Sequence, residues 1–414
     1  MNIKKLAKLF ALIPLPLALV QTASAVEITV LEDRLKAVGI QDAARDFEKQ
    51  TGIKVNVIET HTYVYIIEKL RLDGPAGTAP DMMVLPHDQV SIAAQEGLIA
   101  PLDLNKAEKS KFLPSALDAV TYKGQVYAIP KTVENLVVLY NKNYIKKPFE
   151  TLEEYTNYSE EVWEKTDGGS YGFVAKLDEL YFAYPIIKAF GGYVFGRNEE
   201  GRYNIDDFGL NNQASLDAVN YMKNLNDHYH IPFDTKGKHE TIFNMLDYFL
   251  STNAHSIITG PWDIRACMDK GVKFGVAALP KLPNGKYMSG FNGVRAYVIN
   301  KWSKNYDACR QFAMFLNQPK YAKIRFDLTG APPALAITKD DPELFDNEII
   351  KAIYTQFDRN EYMPNIPEMA QVWLPYSAML GQIYNNEAQI KSGLDFVTSK
   401  IKQSIKDYRL ENNL

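Results

Sequence analysis

Strand-like and helix-like segments alternate along the first hundred residues, and that alternation limits the fold more than any other feature of the chain. Glu27 to Leu31 is β-rich, Ile40 to Gln50 carries apolar residues at helical spacing up to a stop at Thr51–Gly52, and Ile53, Val55 and Val57 alternate with polar residues as a strand does. Helical spacing returns from Ile66 to Leu72 with a stop at Gly74–Pro75, and Asp81 to Leu85 reads as a short buried strand. This is the order of βα units on a mostly parallel sheet, an α/β fold. After a long run of turns a second α/β stretch opens with the strand Leu136 to Tyr140. Helices follow near Tyr181 to Phe190, Gln213 to Asn226 and Thr241 to Leu250, with strands at Ser256 to Thr259 and Arg295 to Ile299 and helices to the end. No Gly/Ser tether separates the two stretches, as expected of two lobes joined by several short crossings.

The chain opens with Lys4, Lys5 and Lys8, an apolar run from Leu9 to Val20, and the small residues Ala23 and Ala25, the pattern of a secretory signal peptide cut after Ala25. Pro14 and Pro16 interrupt the run, which is shorter than the roughly 20 residues that span a bilayer. No cysteine stands near the cut to carry a lipid, so a freely soluble exported protein is expected. Losing those three lysines moves the formal charge from −4 to −7. An acidic chain of this kind is a poor partner for a phosphate backbone, which excludes nucleic acid. The two cysteines, Cys267 and Cys309, match neither a CxxC nor a zinc-ligand spacing, and whether they pair depends on a separation the sequence does not reveal.

HExxH, a GK[ST] phosphate loop and GxGxxG are all missing. The close pair His228 and His230 faces different ways on a helix, so no metal or cofactor is expected. Aromatic content is the positive signal, with Trp163, Trp262, Trp302 and Trp373 among many tyrosines. Sugar faces stack on such rings while carboxylates and amides hold the hydroxyls, although an aromatic at helical spacing serves equally well as core.

Several separated blocks carry a resemblance: FEKQTGIKV (Phe47 to Val55), the PD and HD pairs (Pro80, Asp81, His87, Asp88), EGLIAPL (Glu96 to Leu102) and YKGQVYAIPKTVENLVVLYNK (Tyr122 to Lys142). Further on come ELYFAYPII and GGYVF (Glu179 to Phe195), ITGPWDI (Ile258 to Ile264), FGVAALP (Phe274 to Pro280) and MPNIPEMAQVW (Met363 to Trp373). Together they resemble the maltose- and maltodextrin-binding proteins of the extracellular solute-binding class, through nearly all of the mature chain. The resemblance implies a two-lobed periplasmic binding protein fold of type II with the ligand cleft at the hinge. It places a signal peptide at 1–25, an N-terminal lobe at 26–132 and 295–342, and a C-terminal lobe at 133–294 and 343–414. It also implies a monomeric periplasmic receptor, with no enzymatic activity, that passes a malto-oligosaccharide to the membrane permease subunits of an ABC importer.

Carried over position by position, the resemblance makes Asp88, Glu134 and Glu179 hydroxyl-binding acids and Tyr181, Trp262 and Trp373 stacking rings, with Asp33 and Arg34 as polar contacts near the first strand's end. Asp88 serves as well for the N-cap of a helix starting near Gln89, and Glu134 for a hinge carboxylate without ligand contact. Three positions depart from the family pattern. Leu85 stands where a third tryptophan is usual, and Gln89 and Ser377 stand in place of arginines, which leaves the sugar and its length open. Two alternatives remain, a receptor for another small solute or sugar, and a secreted glycoside hydrolase using Glu134 and Glu179 as its carboxylate pair.

Overall fold

The computed structural model describes residues 26–60, 62–229, 244–342 and 346–412. The signal segment and His230 therefore lie outside the described residues, as does the start of the helix expected at Thr241. Among the described residues no helix is long and apolar enough to cross a membrane.

The first sheet is built as the alternation requires. Strand Glu27–Asp33 buries Ile28, Val30 and Leu31 and pairs in parallel with Lys54–Thr60 along its whole length and with Met82–Pro86 at Val30 and Leu31. Helix Gln41–Thr51 connects the first two, burying Ala43, Ala44 and Phe47 and ending at Gly52, whose φ of 71° is the left-handed closure that glycine tolerates. The next helix, Thr62–Ala76, runs past the expected stop at Gly74–Pro75. Gly74 is a notch instead of a stop, because a Cβ there would lie 2.6 Å from the Trp302 ring.

Strand Phe291–Ile299 completes this sheet and is buried at every position. Its first residues pair in parallel with Glu361–Tyr362, its middle runs antiparallel to Ile129–Glu134, and its last half runs antiparallel to Met82–Pro86. The second sheet has Val137–Asn141 at its centre, antiparallel to both Ser256–Thr259 and Phe274–Ala277. The expectation of mostly parallel sheets thus holds for the first three strands of the chain and not for the second sheet. Val137–Asn141 continues Ile129–Glu134 across the molecule, so the crossing sets its direction, and no helix reverses it.

Only Asn135 and Leu136 separate those two strands, and both are buried. Asn135 Nδ2 donates to Asn292 Oδ1 at 3.3 Å and to the Ile353 carbonyl at 3.0 Å, while Asn292 Nδ2 donates to the Phe357 carbonyl at 2.9 Å. The crossing is therefore pinned to the buried strand and to the helix Glu348–Phe357. One apolar cluster packs largely on the first sheet and a second gathers helices Leu180–Phe190, Gln213–His228, Trp373–Tyr384 and Ile390–Glu411. Cys267 and Cys309 are separate buried thiols, each pushed up to about 12 by burial, and form no bridge.

Asn135→Ala leaves the Asn292 side chain and the Ile353 carbonyl short of a donor in a dry site, a loss of about 1–3 kcal/mol. Urea denaturation is expected to show a lower midpoint, and an unchanged midpoint would mean that the crossing does not depend on this amide.

Candidate ligand-binding cleft

A cleft of about 490 Å³ opens between elements of the two sheets. The first-sheet side is formed by the turn Asp33 to Lys36 after the first strand, Thr132 and Glu134 before the crossing, Arg295 on the buried strand, and Thr329 and Ala331. The other side holds Glu179, Tyr181 and Phe182 at the start of helix Leu180–Phe190, Leu246, and Pro261, Trp262 and Asp263 after strand Ser256–Thr259. Local sequence explains the Trp262 position, since the ring folds back over Gly260, where a Cβ would lie 2.2 Å from it. Asp263, half-buried beside it, accepts from the Thr259 hydroxyl, and desolvation raises its carboxyl.

Six of the eight residues expected to bind ligand line this cleft: Asp33, Arg34, Glu134, Glu179, Tyr181 and Trp262. Trp373 stands behind them. Its ring centroid is 6.3 Å from that of Tyr181, which in turn is 6.2 Å from Trp262, and it meets Phe291 edge-on at 5.9 Å. The Trp373 indole N–H is buried and has no hydrogen-bond partner. Asp88 is also outside the lining, in the first turn of helix His87–Gln95. Pro86 is the N-cap of that helix, so the expectation of Asp88 as a cap fails. Burial raises its carboxyl, and its Oδ1 is buried without a partner.

Several site residues carried no sequence signal. Arg295 donates through Nε to Asp33 Oδ2 at 3.1 Å and pairs through Nη2 with Oδ1, a two-point contact between residues far apart in the chain. Lys36 Nζ reaches the Thr329 carbonyl at 3.0 Å and the Pro261 carbonyl at 3.4 Å, touching both sides of the cleft, and burial lowers it to about 8. Lys131, in the lining, pairs with the buried Glu32, to whose Oε2 the Tyr297 O–H donates at 3.3 Å. His87 accepts from Val294 N–H at Nδ1, 3.1 Å, and so donates from Nε2 to the Met363 carbonyl at 3.2 Å. That bond ties the HD pair to the MPNIP segment and explains why both blocks occur together.

Ser377, standing where the family pattern has an arginine, is fully used in structure. Its hydroxyl oxygen accepts from Leu180 N–H at 3.0 Å and its O–H donates to the Trp373 carbonyl at 2.8 Å, capping the helix that carries Tyr181. Leu85 is wholly buried within its strand and offers nothing to the cleft. Glu179 holds Lys176 Nζ at 3.0 Å. Among the described residues no group of three or more His, Cys, Asp or Glu side chains is placed to hold a metal ion.

Two sheets joined by short crossings, with a polar and aromatic cleft between them, define a two-lobed α/β receptor for a small solute. Residues 42–352 match the family described as bacterial extracellular solute-binding protein, and the chain belongs to that family. It is 36% identical to the galactooligosaccharide-binding protein of Bacillus subtilis, over 92% of this chain and 90% of that one. It is 31% identical to a maltooligosaccharide ABC transporter solute-binding lipoprotein of Streptococcus pneumoniae, over 92% and 89%. Among solved structures, MalX from Streptococcus pneumoniae in complex with maltopentaose superposes with a TM-score of 0.83 at 30% identity, covering 91% of this chain and 100% of that one. The Thermus thermophilus maltotriose binding protein superposes at 0.82 with 26% identity and the same coverage. The family is one of binding proteins, not enzymes, which removes the hydrolase alternative.

Glu134 is the acid whose chemistry the cleft alters most clearly. Burial, with Asp33 and Asp88 adding to it against Arg295 and Lys36, pushes its carboxyl from 4.5 up to about 7. Because the folded form holds this proton more tightly than the unfolded chain, the group stabilises the fold below about pH 4.5, and that contribution is lost as pH rises to about 7. Denaturation of the ligand-free protein across this window is expected to show a steeper fall in stability for the parent than for Glu134→Gln. Parallel profiles would place the Glu134 carboxyl in an ordinary solvated setting.

Proposed function

We propose that the chain is the substrate-binding protein of a carbohydrate ABC importer, capturing a malto-oligosaccharide in the cleft and delivering it to membrane permease subunits. The observation that carries this reading is the juxtaposition of the ring series Tyr181, Trp262 and Trp373 with the acids Asp33, Glu134 and Glu179. Apolar sugar faces stack on the rings while hydroxyls bond to carboxylates and to Arg34. Trp373 extends the aromatic surface through Tyr181. The unpartnered buried oxygen of Asp88 and indole N–H of Trp373 are groups that a hydroxyl reaching them would satisfy.

In this reading residues 26–132 and 295–342 form one lobe, 133–294 and 343–414 the other, and the protein is a monomer, cut after Ala25 and free in the periplasm. A second sugar is favoured by the relative in Bacillus subtilis, whose name gives galactooligosaccharide. Leu85 and Ser377 bring neither ring nor guanidinium to the cleft, which fits a ligand set different from that of a maltodextrin receptor with all three groups.

Titration of the mature chain with maltose, maltotriose, a cyclodextrin, glucose and a galactooligosaccharide, followed by tryptophan fluorescence, tests the reading. Saturable binding of maltotriose is expected, weakened in Trp262→Ala by about 1–3 kcal/mol, the worth of a stacked ring. Saturation by the galactooligosaccharide alone would transfer the assignment to the second sugar, and binding to none of them would end it.

A further inference from the structure

Leu35 has no role in the site as described so far. It follows Asp33 and Arg34 at the end of the first strand, lines the cleft and keeps 37% of its surface exposed. Its φ is +62°, the left-handed region in which an L side chain crowds the following carbonyl and glycine or asparagine is the ordinary occupant. The turn is held on both sides. Arg34 N–H donates to the Thr60 carbonyl at 2.9 Å, Lys36 N–H to the Asp33 carbonyl at 3.0 Å, and Lys36 Nζ to the Thr329 carbonyl at 3.0 Å. Strain of this kind is ordinarily offset by burial, and an exposed leucine has little burial to offer.

Composition of the cleft supplies the reason for an apolar side chain here. Every other residue that lines the cleft from the first sheet and its helices is polar, charged or alanine, so Leu35 is the one large apolar side chain on that side among the described residues. The rings Tyr181 and Trp262 come from the other side. Leu85, at the position where a ring is usual, is wholly buried. A pyranose has two faces, and one that stacks its C–H face on Trp262 turns the opposite face and its edges toward the first sheet. We propose that Leu35 is an affinity- and specificity-determining residue, an apolar platform that meets the C–H surface of the bound sugar from the first-sheet side. The sugar so selected is one with apolar surface on both sides, as in an α-linked chain of hexoses whose ring hydroxyls are equatorial, and not one with axial hydroxyls directed at Leu35. This rests on the oligosaccharide reading above.

Leu35→Gly and Leu35→Asn both suit the left-handed backbone and remove the apolar surface, whereas Leu35→Met keeps that surface. Maltotriose is titrated into each, and into Trp262→Ala, with thermal midpoints recorded in parallel. The Gly and Asn variants are expected to raise Kd at least fivefold with midpoints equal to or above the parent's, and Leu35→Met to stay within twofold of the parent. If Gly and Asn bind within twofold of the parent while Trp262→Ala is weakened, Leu35 is a turn residue only and the inference fails while the oligosaccharide reading stands. A fall in midpoint accompanying the loss of affinity would assign Leu35 to the fold and overturn the inference equally. If the parent binds neither malto- nor galacto-oligosaccharide, the reading falls and the inference with it.

Discussion

The pairing of the short crossing Asn135–Leu136 with the buried strand Phe291–Ile299 is the constraint on which the rest of the structure depends. Two residues are too few to form a flexible tether, so the sheet on each side is aimed by the strand that enters or leaves it. Asn135 donates there to Asn292, and the two amides also donate to two helix carbonyls, which fixes the crossing. Every lining residue of the first-sheet side is then positioned relative to this one strand. Arg295 lies on it, and Glu134 sits beside Gly293. A Cβ at Gly293 would lie 3.0 Å from the Glu134 side chain, so glycine leaves room for that acid at the bottom of the cleft.

Charge in the cleft is arranged in pairs of unequal depth. Glu32 and Lys131 form a buried pair, with Lys131 in the lining, and removing either partner would leave the other's charge buried and unmatched, the costly kind of buried-charge substitution. Asp33 and Arg295 lie one layer higher, at the surface that a ligand would touch. Lys36 reaches across to the Pro261 carbonyl, next to Trp262, and so couples the turn of the first sheet to the aromatic side. The cleft is thus lined by an ordered polar network. A ligand's hydroxyls would exchange with groups that are held in place, and little ordering entropy remains to be lost.

Local signals in the chain reached the elements, the family resemblance supplied most of the rings and acids, and both failed where an answer depends on distant partners. Strand Ser256–Thr259 and helix Gln41–Thr51 were legible from apolar spacing and from Gly52, and Trp262 from its place after Gly260–Pro261. Strand direction in the second sheet was not, because an apolar run reads the same for either direction. Gly74 looked like a helix stop, since nothing nearby in sequence reveals that Trp302 needs its missing side chain. Arg295 and Lys36 were invisible for the same reason, as their partners Asp33, Thr329 and Pro261 are brought close only by the fold. Asp88 and Trp373 were found as motif positions, yet they stand beside the cleft and not in its lining, a distinction of depth that a motif does not encode.

In this account a sugar that touches both sides binds the closed arrangement better than the open one and, through that difference in affinity, shifts the population towards closure about the crossings. Closure would present the two lobes in an orientation that a membrane permease can distinguish from the empty receptor. Small-angle scattering of the mature protein, with and without a saturating oligosaccharide, tests this most directly. The account predicts a smaller radius of gyration when the ligand is bound; an unchanged scattering profile at demonstrated saturation would contradict it.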